Sequence, residues 1–117
     1  MASIQSVTFD CAEPPALARF WADVLGWGVS PDADENIAAI GGPNRKPDEP
    51  SLLFLAVPEG KAAKNRCHLD LDCDDLDAEG ARVEALGATF VHEKQEYGLR
   101  WMTFTDPEGN EFCLAHH

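Results

Sequence analysis

The chain has 117 residues, of which 44% are hydrophobic and 26% charged, and its formal net charge is −12 at pH 7. Length and composition are those of one globular domain whose core needs neither disulfides nor a structural metal. The acidity argues against nucleic acid, because displacing phosphate counterions requires lysine and arginine, and it disfavours anionic membrane surfaces.

Targeting signals and membrane spans are not expected. The first residues, "MASIQSVTFD", contain no basic stretch followed by an apolar run, which a secretory signal requires. The longest apolar run, "LLFLAV" at 52–57, is too short to cross a bilayer. The four cysteines show no CxxC pairing, so we predict a cytoplasmic protein with reduced, mostly buried thiols.

The first half of the chain predicts a strand, a helix and further strands. A strand at about 7–11 precedes a helix that Pro14 or Pro15 opens and Gly26 ends. Its apolar stripe consists of Leu17, Phe20, Trp21, Val24 and Leu25. Strands are predicted at about 36–41 and 51–57, with a loop at 41–50.

The second half opens with "CHLDLDCDD" at 67–75, where polar and apolar residues alternate as in a half-buried strand. Asp74 or Asp75 can cap the next helix, and Gly87 ends it. Strands are predicted at about 88–93, 100–105 and 111–115, with a turn at 106–110. "EKQEYGLR" at 93–100 is predicted to be a flexible loop with Tyr97 near its tip.

The two halves are related by an internal repeat. A shift of 62 positions maps Asp72–Cys73 onto Asp10–Cys11, and each copy contains a Leu-Gly helix end. A repeat of half the chain length indicates two similar units. We therefore predict an α+β fold of two βαβββ modules, at about 1–60 and 65–117.

Three motifs carry a resemblance to a known family: "FWADVLGW", "KNRCHLDL" and "DPEGNEFCL". With the repeat, they resemble small glyoxalase-like proteins of the vicinal oxygen chelate (glyoxalase/bleomycin resistance/dioxygenase) superfamily. The resemblance implies a single glyoxalase-like domain over 1–117. It also implies that the two modules form a U-shaped mixed sheet around a cleft, with the helices outside.

Strand alternation sorts the side chains into core-facing and cleft-facing sets. If the apolar residues of each strand face the helix, the polar ones face the cleft. The cleft-facing set is then Ser6, Thr8, Asp10, His68, Asp70, Asp72, Trp101, Thr103, Thr105, Glu111 and Cys113. Trp101 suits a flat or apolar ligand, or else it packs against the 93–100 loop or a partner subunit.

Metal-dependent relatives, as the resemblance implies, take one ligand from each of four strands. The matching positions are Ser6, Leu55, His68 and Cys113, and only His68 keeps the expected ligand type. Cys113 has a thiolate to offer zinc, whereas Ser6 is a poor ligand and Leu55 is none. We therefore predict no cofactor and a degenerate metal site, with a divalent metal as the less favoured alternative.

His68 and Asp70 are the candidate catalytic pair. Histidine titrates in a useful range, and Asp70 is placed to orient or charge it. Alternatively, His68 is simply satisfied by a cleft carboxylate or water. Asp10, Asp70 and Asp72 together favour a cation, or they are solvated and cap helix starts.

Three functional classes remain open, since function depends on the site rather than the fold. The favoured prediction is a protein that binds a small apolar or cationic compound in the cleft, as drug-binding members of the superfamily do. The alternative is a glyoxalase-type lyase or isomerase that uses His68, with or without a divalent metal. The third is a partner module for another protein. A homodimer is expected, because short sheets leave edges to cover.

Overall fold

The computed structural model describes residues 1–117. The chain divides into two compact units, 1–61 and 62–117, and each is a βαβββ module with one mixed four-stranded sheet. The predicted α+β fold of two modules is confirmed. Neither helix is long and apolar enough to cross a membrane.

The first unit comprises β1 (Ser6–Cys11), α1 (Pro14–Leu25), β2 (Gly28–Val29), β3 (Ile37–Gly41) and β4 (Ser51–Ala56). Its strand order is β1-β4-β3-β2, with β1 parallel to β4 and the other pairs antiparallel. The connection from β1 to β4 contains α1, β2 and β3, since parallel neighbours cannot be joined by a tight hairpin turn.

Aromatic packing of α1 on the sheet forms the core of the first unit. Trp21 and Phe54 are fully buried, and Phe9 stacks on both with ring centroids 5.8 and 5.5 Å apart. Gly26 ends α1 in the left-handed region at φ 70°, which glycine adopts without the penalty that a Cβ would add. Phe9 and Phe54 thus point to the helix side of the sheet.

The second unit comprises β5 (Leu69–Asp72), α2 (Leu76–Leu86), β6 (Thr89–Glu96), β7 (Leu99–Thr105) and β8 (Glu111–Ala115). Its strand order is β5-β8-β7-β6, with β5 parallel to β8. The carboxylate of Asp75 caps α2 by accepting a hydrogen bond from the backbone N–H of Ala78 at 3.1 Å. This confirms one of the two predicted caps.

The helix α2 covers one face of the second sheet. Val83, Phe104 and Phe112 are fully buried there. The backbone of Gly80 comes so close to the sheet that a Cβ at this position would lie 2.9 Å from the sulfur of Met102. Since Met102 and Phe104 point towards α2, the alternate residues of β7, including Trp101, face the opposite side.

The prediction of a flexible loop at 93–100 is wrong. β6 continues to Glu96, β7 begins at Leu99, and a two-residue turn of Tyr97 and Gly98 joins them. Both turn residues have positive φ, 54° and 72°, as the tight turns of β-hairpins require. Tyr97 lies at the tip, as expected, and is almost fully exposed.

Candidate functional site

A concave pocket of about 430 Å³ lies on the second unit's sheet, on the face away from α2. Six of the predicted cleft-facing residues line it, namely His68, Asp70, Trp101, Thr103, Glu111 and Cys113. All residues of its lining belong to the second unit. The pocket is therefore a feature of one module, and its position follows from the pairing of β5, β8, β7 and β6.

Strand register explains why the predicted residues meet. Asp70 of β5 is opposite Cys113 of β8, and Cys113 is opposite Thr103 of β7. These three therefore form one row across the sheet, and paired residues share a face. His68 precedes β5 at the alternate position, so it lies on the same face one step away.

Residues that the sequence did not assign to the site complete the lining. His92 is opposite Thr103, and Lys94 is opposite Trp101, because β6 pairs with β7. Both line the pocket, together with Lys64, Leu99 and His117. The sequence carried no signal for either residue, because their place depends on the register of β6 against β7.

The predicted residues of the first unit are not part of this pocket. Ser6 and Thr8 lie on β1 and alternate with Phe9, so they face away from α1, and Leu55 of β4 alternates with the core residue Phe54. Their role in a ligand site stays a prediction. Asp10 also belongs to this unit.

Asp72 lies at the end of β5 and does not line this pocket, because its carboxylate binds the backbone of the chain end. Its carboxylate accepts a hydrogen bond of 2.8 Å from the backbone N–H of His117, and this bond lowers the pKa of Asp72. Of the three carboxylates that favoured a cation in the sequence, only Asp70 lines the pocket.

The polar centre of the pocket contains an imidazole, a carboxylate and a thiol. Nε2 of His68 lies 3.3 Å from Oδ1 of Asp70, and Sγ of Cys113 lies 3.3 Å from Oγ1 of Thr103. Burial raises the pKa of the Cys113 thiol, so the group is a neutral thiol at neutral pH unless a cation draws off its proton. His68 and Asp70 are suited to proton transfer, whereas Cys113 is not an activated nucleophile.

A hydrogen-bond network anchors the segment that enters β5. The backbone N–H of Asn65 donates to Oε2 of Glu111 at 3.0 Å, and its side-chain amide donates to Oδ1 of Asn110 at 2.9 Å. The amide of Asn110 in turn donates to both carboxylate oxygens of Asp106. This network holds the chain next to Lys64 and His68 at the pocket.

The sequence model of the glyoxalase-like domain family matches residues 6–115. The chain belongs to the glyoxalase-like domain family. This places it in the vicinal oxygen chelate superfamily, as the three motifs indicated. A comparison with curated protein sequences gives no match.

Solved structures of the same superfamily share the fold of this glyoxalase-like protein. A glyoxalase/bleomycin resistance protein/dioxygenase family enzyme from Burkholderia phytofirmans has a TM-score of 0.78 at 19% identity, over 98% of both chains. The lactoylglutathione lyase from Agrobacterium tumefaciens has a TM-score of 0.69 at 18% identity, over 99% of this chain and 94% of that one. At these identities the likeness concerns the fold alone.

Two of the four strand positions that the resemblance implies for a metal, Ser6 and Leu55, lack a strong ligand in this glyoxalase-like protein. The side chain of Leu55 has no donor atom, and the hydroxyl of Ser6 is a weak ligand for a divalent ion. In contrast, His68, Asp70 and Cys113 each offer one donor atom, and these three atoms lie within 4.8 Å of one another. The donors of this chain are thus grouped within the second unit.

Proposed function

We propose that this glyoxalase-like protein binds a small molecule in the pocket of the second unit. The observation that carries the proposal is the combination of Trp101 and Leu99 with the polar group around His68 in one pocket of about 430 Å³. Sites for small molecules have volumes of roughly 300–1,000 Å³ and combine apolar walls with a few polar groups. An aromatic ring at such a wall supplies a large, flat contact area.

The charged side chains of the lining do not by themselves select a cationic ligand. Two carboxylates, Asp70 and Glu111, and two ammonium groups, Lys64 and Lys94, line the pocket. Their formal charges cancel, although the whole chain carries −12. The preference for a cationic compound therefore depends on Asp70 and Glu111 being closer to the ligand than the two lysines are, which an experiment can decide.

Three probes with the same ring and different charge test this proposal. Naphthalene-2-methanol, 2-naphthylmethylammonium and 2-naphthoate are titrated by calorimetry into protein dialysed against a chelator. We expect saturable binding of at least one of them, and Trp101→Ala should weaken it by about 1–3 kcal/mol, as for an aromatic anchor. The charge preference follows from the order of the three affinities.

Tyr97→Ala is the matched control, because it also removes an aromatic ring but at the exposed hairpin tip, outside the pocket. Its affinity for the probes should equal that of the native protein. Binding that Trp101→Ala leaves unchanged, or that Tyr97→Ala weakens equally, would contradict the proposed site.

A lyase or isomerase activity of the glyoxalase type is the second candidate. The contact of 3.3 Å between His68 and Asp70 at the pocket wall favours it, since a carboxylate orients and charges a histidine that transfers protons. An assay for lactoylglutathione lyase activity, with and without added zinc or nickel, tests it directly. Activity that disappears in His68→Ala would establish the enzyme, whereas no turnover under any of these conditions would contradict it.

A cytoplasmic location is proposed from the thiols. All four cysteines are free, and Cys67 is exposed, contrary to the expectation that the cysteines are mostly buried. An exposed free thiol is typical of a reducing compartment. Fractionation of the cells that produce the protein, with detection in the cytosolic fraction, would be the corresponding test.

A further inference from the structure

A row of side chains crosses the pocket face of the second sheet from β8 to the edge strand β6. Trp101 of β7 lies between Ala115 of β8 and Lys94 of β6, its two partners in the strand register. His92 is two residues before Lys94 on β6, so it shares this face, and it is opposite Thr103. Both His92 and Lys94 line the pocket. Two basic side chains thus lie beside an indole ring along one wall.

The other charged side chains of the pocket have partners within the chain. The carboxylate of Asp70 lies 3.3 Å from the imidazole of His68. The carboxylate of Glu111 accepts a hydrogen bond of 3.0 Å from the backbone N–H of Asn65. The ammonium of Lys64 donates to the carbonyl of Asn65 at 3.5 Å. All these contacts involve β5, β8 or the segment before β5, and none involves β6.

Lys94 and His92, in contrast, have no partner within the chain for their side-chain nitrogen atoms. The adjacent carboxylate of Glu93 points to the other face of the sheet, where it binds Arg100 at 2.9 Å. Glu96 shares the face of Lys94 but does not line the pocket. Within the pocket, the charge that lacks a partner is therefore positive and lies at β6.

A planar monovalent anion fits these groups. The ammonium of lysine is a point charge with three donors, and an imidazole N–H adds a further donor, so one carboxylate accepts from both side chains. Phosphate sites typically use helix N-termini, glycine-rich loops or arginine side chains, and none of these lines the pocket. Because Trp101 offers a flat apolar face beside Lys94, a ring and a carboxylate in one molecule satisfy both contacts.

We infer that the pocket binds an aromatic carboxylate, with the ring on Trp101 and the carboxylate at Lys94 and His92. The inference rests on the proposed function, since it assigns a ligand class to the same pocket. It differs from the cationic compound that the sequence favoured. A cation would have to compete with His68 for the carboxylate of Asp70, whereas an anion meets side chains that have no partner.

The ratio of the affinities for 2-naphthoate and naphthalene-2-methanol tests the inference, because these probes share a ring and differ in charge. At low ionic strength, we expect the native protein to bind 2-naphthoate about fivefold more tightly, which is the upper end of what an exposed ion pair contributes. The ammonium probe should bind most weakly of the three. Sodium chloride at about 0.5 M should reduce the ratio, since salt screens exposed charges.

Variants assign the preference to the β6 wall. Lys94→Gln should bring the ratio to about one by weakening 2-naphthoate alone, and His92→Ala should also lower it because a donor is lost. Lys46→Gln is the matched control, because it makes the same charge change at an exposed loop residue of the first unit, outside the pocket. It should keep the native ratio. Circular dichroism establishes that each variant is folded.

The outcomes separate the inference from the proposed function. If naphthalene-2-methanol binds through Trp101 but the native ratio is one or less, the pocket remains a ligand site and the inferred ligand class is overturned. A native ratio in Lys94→Gln or in His92→Ala would overturn the inference as well. So would an equal loss in Lys46→Gln, because the preference would then reflect the net charge of the chain. If none of the probes binds, both the inference and the proposed function are wrong.

Discussion

Asn110 is the residue whose loss should most disturb the support of the pocket without touching its lining. It is 7% exposed, and Asp106 beside it is 3% exposed. Its side-chain amide donates to both carboxylate oxygens of Asp106 at 3.1 and 2.9 Å, and its Oδ1 accepts from Asn65 at 2.9 Å. Asn110→Ala removes all three bonds at once.

The expected loss of stability follows from the partners left behind. A hydrogen bond to a charged group contributes about 1.5–3 kcal/mol, and a neutral one about 0.5–1.5 kcal/mol. Since the Asp106 carboxylate loses its amide partner inside the protein and Asn65 loses one neutral bond, we expect Asn110→Ala to lower the free energy of unfolding by about 2–4 kcal/mol. That is a large share of a typical stability of roughly 5–15 kcal/mol.

Urea unfolding followed by circular dichroism is the assay. With an m-value of about 2 kcal/mol per molar urea, the midpoint should fall by roughly 1–2 M at an unchanged slope. Asn44→Ala is the control, because Asn44 makes an exposed side-chain bond of 2.9 Å to the carbonyl of Gly26; its cost should stay below about 1 kcal/mol. Equal midpoints for the two variants would refute the argument that the buried network stabilises the second unit.

Thiol reactivity, acid stability and oligomeric state are three further properties that the structure predicts. At mildly alkaline pH, iodoacetamide should label the exposed Cys67 quickly and Cys113 slowly, because burial raises the pKa of the Cys113 thiol; equal rates would contradict this. The hydrogen bond from Arg100 lowers the pKa of Asp77 from its ordinary value of 3.8. The Arg100–Asp77 pair therefore stabilises the fold above pH 3.8, and this contribution is lost as the pH falls through the lowered pKa. Asp77→Asn should therefore reduce the steepness of acid unfolding below about pH 4, and an unchanged acid transition would show that the pair contributes nothing. We also propose a homodimer, since each sheet ends in two edge strands; light scattering at micromolar concentration should give twice the chain mass of 12.8 kDa, and a 12.8 kDa species alone would contradict it.

The fold was predictable because most elements carry a local signal. Alternating residues marked β1, β5 and β8, Gly26 and Gly87 marked the helix ends, and the repeat showed that the two halves are alike. Both strands of the β6–β7 hairpin were predicted, but their continuation to a tight turn was missed for a physical reason. Every residue of β6 is exposed, so the strand has no buried face and no alternation, and its turn uses Tyr97-Gly98 instead of the Asn-Gly or Asp-Gly pairs that indicate such turns.

The site residues were predictable where their place follows from alternation within one strand. They were not predictable where their place follows from the register between neighbouring strands. Alternation alone located His68, Asp70, Trp101, Thr103, Glu111 and Cys113 on one face, and all six line the pocket. His92 and Lys94 were missed because their place follows from the register of β6 against β7, which the sequence does not show.

The proposal that the second unit's pocket is the ligand site is tested most directly by the indole N–H signals of the three tryptophans in an NMR titration. Trp101 lines the pocket, whereas Trp21 is a buried residue of α1 and Trp27 follows α1, both in the first unit. Trp101→Phe assigns the pocket signal. On addition of the naphthalene probe that binds most tightly, we expect the Trp101 signal to shift saturably while the other two stay in place. A stationary Trp101 signal at saturation, with Trp27 or Trp21 shifting instead, would contradict the account.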